Sequence, residues 1–74
     1  MARLRYTVVF EKDEDGWIVV SAPALGCAAQ GRTRKVALRA LREVVGSYLL
    51  ARRARGWPIP RQTEATVSTL EIAV

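Results

Sequence analysis

The sequence predicts an α+β fold of order β-β-β-α-β, a three- to four-stranded, mainly antiparallel sheet with one long helix packed on it. Three observations predict it. Residues 3–30 hold short runs of β-branched, aromatic and small side chains broken by turn residues. Residues 34–54 repeat apolar side chains at three- and four-residue spacing. Residues 65–74 return to a period-two alternation, with Leu70, Ile72 and Val74 on one side and Thr69, Glu71 and Ala73 on the other.

Taken in order, Arg3 to Glu11 reads as the first strand, with Tyr6, Val8 and Phe10 on one face. Lys12 to Gly16 is a polar turn in which Gly16 is free to take positive φ. Trp17 to Ser21 is the returning strand. Pro23, which cannot donate to a ladder, and Gly26 break the chain before a short third strand, Cys27 to Gln30. The small side chains of that strand predict an element packed closely over it, and the following helix is the natural candidate. Thr33 is the expected N-cap of a helix running from Arg34 to about Ala54. Ala37, Leu41, Val44, Tyr48 and Leu49 form its expected buried stripe, while Arg34, Lys35, Arg39, Arg42, Arg53 and Arg55 lie mainly off it. Gly56 stops the helix, and Pro58 and Pro60 make the following connector stiff. Ala65 to Val74 is the expected fourth strand.

At 74 residues the chain is a single domain, and one that buries only about 60% of the surface its unfolded chain exposes. Small domains of this kind draw added stability from disulfides, metals or partner subunits. Cys27 is the one cysteine and there is no histidine, so an internal disulfide is excluded and zinc-type ligation has almost no ligands. Cys27 is expected to be a small buried apolar residue, and association with further copies is the expected stabiliser. No cofactor is expected. No apolar run approaches the ~20 residues that span a membrane, and the N-terminus lacks the apolar core of a signal peptide, so a cytoplasmic protein is expected.

Charge is unevenly placed. Residues 31–61 carry nine basic residues and the single acid Glu43, whereas the remainder carries three basic and six acidic groups. A basic helix is thus joined to a mildly acidic remainder. Asp13, Glu14 and Asp15 are consecutive at a hairpin tip and point in different directions, which suits a solvated turn and not a magnesium site, where carboxylates must converge. With no histidine and no buried acid in the strands, catalysis is not expected. The candidate contact residues are Arg32, Arg34 and Lys35 at the helix start, where cations and free amides converge, Arg39 and Arg42 along its exposed face, and Trp57, a rigid aromatic in a proline-flanked connector.

A strand ending Val9-Phe10-Glu11, then Asp15-Gly16-Trp17, Ser21-Ala22-Pro23, Leu25-Gly26-Cys27 and Gln30-Gly31-Arg32-Thr33, then a helix with Ala37 near its start and Gly56-Trp57-Pro58-Ile59-Pro60 after it, resembles the HicB family of antitoxins. The resemblance runs from about Tyr6 to Val74. It implies a partial ribonuclease-H-like fold, assembly as a homodimer or tetramer, and neutralisation of a small HicA-type ribonuclease toxin by protein–protein contact. Many members carry a C-terminal DNA-binding domain, which a chain ending at Val74 is expected to lack. The family pattern usually places acids in the first helical turn, where this chain has Arg34-Lys35-Val36. A stand-alone module that binds nucleic-acid backbone weakly through the basic helix face is the alternative.

Overall fold

A computed structural model of the chain describes residues 3–74. Three antiparallel strands, β1 (Val9–Lys12), β2 (Ile18–Ala22) and β3 (Cys27–Gly31), lie in the order β1-β2-β3, and one helix, α1 (Arg34–Ala54), follows them. The fold is α+β, as expected.

The turns form for local reasons. The Asp13 carboxylate accepts from the backbone N–H groups of Asp15 and Trp17, each at 2.9 Å, and Gly16 takes φ 86°. Asp13 therefore folds the hairpin tip that joins β1 to β2. The carbonyl of Ala22 accepts from Leu25 and Gly26 at the β2–β3 break, each at 3.0 Å. Register places Phe10 opposite Val20 and Val20 opposite Ala29, so inward residues stack across the sheet.

The helix bounds match the sequence signals. The Thr33 hydroxyl accepts from the Val36 N–H at 3.1 Å. At the other end Trp57 N–H donates to the Arg52 carbonyl and Gly56 N–H to the Arg53 carbonyl, with Gly56 at φ 71°. That pair of bonds is the Schellman arrangement, which glycine's tolerance of positive φ permits.

The core is Val20, Ala22, Leu25, Cys27, Ala37 and Leu41, all buried, with Tyr6, Val8, Phe10, Ile18, Ala29, Val45, Tyr48 and Leu49 packed partly buried around it. The helix lies chiefly over β3, then β2. Its approach is close because β3 is small-sided. A Cβ on Gly31 would stand 2.7 Å from the Ala37 backbone nitrogen and 2.8 Å from Val36 Cγ1. Cys27 is buried, its Sγ 3.7 Å from the Leu25 carbonyl oxygen.

Three expectations are corrected. The β1 ladder covers Val9–Lys12 and not the whole of Arg3 to Glu11, because β2 supplies partners only over that length. Val44 is exposed and Val45 packs on the core in its place. Four residues on from Leu41 the helix has turned about 40° past a full circle, three residues on about 60° short of it, and the sheet lies on the former side. The fourth strand, Ala65 to Val74, does not form: residues 57–74 have no helix or ladder, and every residue from Thr63 to Val74 is exposed. A strand is stable only when paired with an edge, and this segment pairs with neither outer edge of its own sheet.

Leu41→Ala is expected to cost about 2–5 kcal/mol by removing one of the few large fully buried side chains, read as a lowered denaturation midpoint. Gly31→Ala is expected to cost about 1–3 kcal/mol by forcing β3 and α1 apart, read as a fall in thermal midpoint.

Candidate functional site

The arginines of the helix region divide into three groups according to what each can reach. At the N-terminal end, the Arg32 guanidinium sits 3.9 Å above the Trp17 ring centroid and donates from Nη1 to the Asp15 carbonyl at 3.3 Å. The Arg34 guanidinium lies 4.4 Å from the Phe10 centroid. Both side chains reach back onto the hairpin. This accounts for a helix whose first turn holds no acid. A cation there opposes the helix dipole by about 0.3–1 kcal/mol, and an exposed cation–π contact returns about 0.5–1 kcal/mol.

At the C-terminal end, Arg52 donates from Nε to the Pro58 carbonyl at 2.7 Å and from Nη1 to the Tyr48 hydroxyl at 3.3 Å. Arg52 and Arg55 flank the Trp57 ring at 5.7 and 5.0 Å. The connector is thereby held against the helix end, with Trp57 half exposed. Cations in this last turn also suit the dipole.

The third group lies between them. Lys35, Arg39 and Arg42, at helical spacings of four and three, line a shallow depression of about 240 Å³ around Leu38. Leu38 is 37% exposed, an apolar centre inside a cationic rim. Of the six residues expected to make contact, the fold brings these three together. It turns Arg32 and Arg34 onto hairpin aromatics. Trp57 stands beyond the opposite end of the helix, which is about 30 Å long.

Two features escaped the pattern of the sequence. Leu38 lies beside the apolar stripe, and only the placement of the sheet shows that it faces out. A second, more apolar groove of about 310 Å³ adjoins it between α1 and the β1 side of the sheet, lined by Tyr6, Val8, Leu41, Val45 and Gly46 and sharing Leu38 and Arg42 with the cationic depression. Gly46, a glycine in the middle of a helix, was the available signal for it. Among the described residues no group of three or more His, Cys, Asp or Glu side chains could hold a metal ion, and no helix is long and apolar enough to cross a membrane.

Because the two opposing terms at Arg34 are of similar size, Arg34→Ala is expected to leave stability within about 0.5 kcal/mol of the parent, measured by chemical denaturation at low salt.

No protein-family model matches the chain. A UPF0150 protein of Thermoplasma acidophilum is 39% identical over 66 residues, which cover 88% of this chain and 96% of that protein. A UPF0150 protein of Archaeoglobus fulgidus is 36% identical over 47 residues, 62% of this chain and 68% of that protein. With nearly the whole length of the first relative aligned to most of this chain, this protein belongs to the UPF0150 family.

Proposed function

We propose that this chain is a non-catalytic binding protein of HicB type, which neutralises a small HicA-type ribonuclease toxin by protein–protein contact. The observation that carries this is the order of three antiparallel strands and one long helix, with the quoted motifs at its turns: Asp15-Gly16-Trp17 opens β2, Gln30-Gly31-Arg32-Thr33 joins β3 to α1, and Gly56-Trp57-Pro58 ends the helix. The face offered to the partner is the cationic rim of Lys35, Arg39 and Arg42 around Leu38. An apolar centre that excludes water within a charged rim is the anatomy of a protein interface. Its cations select an acidic surface on the toxin, outside the basic face that such a nuclease turns to RNA, so inhibition works through steric cover. The working compartment consistent with this role is the cytoplasm.

The same three cations favour a second reading, a module that binds nucleic-acid backbone. Three phosphate contacts would give a slope of about −2.7 in log K against log salt.

Co-expression with the product of the adjacent gene tests the first proposal. A stable complex and suppressed ribonuclease activity are expected. The charge reversal Lys35→Glu/Arg39→Glu/Arg42→Glu is expected to weaken that complex by at least about tenfold while circular dichroism stays unchanged. Absence of any complex, together with steep salt-dependent RNA binding that the same reversal abolishes, would favour the second.

A further inference from the structure

The stretch before β1 and the connector after α1 meet, and both bring arginine to the meeting point. The Tyr6 hydroxyl donates to the Pro60 carbonyl, and the Thr7 N–H donates to Gln62 Oε1 at 2.9 Å. These bonds join residues 54 and 55 positions apart and fix one stretch against the other. Between them lies a cleft of about 230 Å³, lined by Arg3, Leu4, Arg5, Tyr6, Arg61 and Gln62.

Guanidinium groups gathered round one cleft repel one another, so the fold by itself gains nothing from collecting them. No acid offsets them. The lining contains none, and the acids nearest along the chain, Glu11 and Glu64, are exposed and lie outside it. Aromatic rings do not engage them either. Among the described residues, Arg32, Arg34, Arg52 and Arg55 each lie over a ring, and Arg3, Arg5 and Arg61 do not. The cationic charge of this cleft is therefore left for a ligand.

The donors suit a phosphate. Each guanidinium presents its N–H groups as a planar fork, and a tetrahedral phosphate offers three acceptor oxygens where a carboxylate offers two. Forks that converge from two separate stretches match the tetrahedral anion. Gln62 adds a neutral donor, because its Nε2 donates to the Thr63 carbonyl and keeps a second N–H. One wall is apolar. Leu4, 41% exposed, also lines a neighbouring depression of about 180 Å³ with Leu49, Leu50, Arg53 and Ile59, and Leu50 there is 67% exposed. A cationic cleft that opens onto an aliphatic shelf fits an anion with an organic part better than a bare ion.

We propose that Arg3, Arg5, Arg61 and Gln62 form a phosphate-binding site whose ligand is a phosphate ester. The arginines hold the phosphoryl oxygens, Gln62 donates to one of them, and the ester group lies against Leu4 and Leu50. Lys35, Leu38, Arg39 and Arg42 do not line this cleft, so the site stands whether or not the cationic rim of the helix meets a toxin.

Titration of the full-length chain with inorganic phosphate at constant ionic strength tests the oxyanion site. The side-chain N–H resonances of Arg3, Arg5 and Arg61 are expected to shift and saturate, and chloride is expected to leave them in place. Arg3→Ala/Arg5→Ala/Arg61→Ala is expected to weaken phosphate binding at least about tenfold with circular dichroism unchanged. Lys35→Ala/Arg39→Ala/Arg42→Ala removes the same charge elsewhere and is expected to keep binding within about twofold of the parent. Uridine 5′-monophosphate and a short oligouridylate with a 5′-hydroxyl distinguish the two sources of the ester. Binding tighter than that of phosphate by the nucleotide alone assigns a monoester, and by the oligouridylate a backbone diester. Phosphate binding no stronger than that of chloride, equal losses in the two alanine variants, or esters that bind no tighter than inorganic phosphate would each overturn the proposal.

Discussion

Everything in this protein depends on how closely the helix can lie on the sheet. The seam is the contact of Gly31 on β3 with Val36 and Ala37 on α1, where no side chain separates the two backbones. Ala22, Cys27 and Ala29 continue the small-sided surface, and Leu41 and Leu25 supply the bulk. Close packing at the seam sets the helix over β3 and β2. The same placement withdraws it from β1, so the tight side of the fold and the open groove on the other side have one cause.

That geometry leaves a small core. Of its six buried residues only Val20, Leu25 and Leu41 are larger than alanine or cysteine. Domains of this size stand near the lower limit of what burial alone can stabilise. Neither a disulfide nor a metal cluster is present among the described residues to compensate. Meanwhile the segment after Gln62 holds aliphatic side chains that would each contribute about 1.5–3 kcal/mol on full burial.

The arginines show how a composition-level feature resolves into distinct tasks. Charge counting joins them into one basic helix. In the folded chain, Arg32 and Arg34 clasp Trp17 and Phe10 of the hairpin, and Arg52 and Arg55 hold Trp57 at the opposite end. Only Lys35, Arg39 and Arg42 stand together as a surface, around an apolar centre. The clasps use the flat guanidinium against an aromatic face, a geometry that lysine could not reproduce.

What the sequence by itself determined is everything set by neighbours along the chain. The hairpin follows from Asp13 and Gly16, the helix start from Thr33, its end from Gly56, and the bounds Arg34–Ala54 from both. Each is decided within about one turn of backbone, where hydrogen-bond partners are only a few residues apart. The tertiary structure decided what depends on distant partners. Val45 replaces Val44 on the buried stripe because the sheet lies to that side. Arg32 and Arg34 leave the expected contact surface because Trp17 and Phe10 come within reach only after the sheet has formed. The alternation of residues 70–74 is a strand pattern without a strand, because period two states which face a segment can bury and says nothing of which edge, or whose, will receive it.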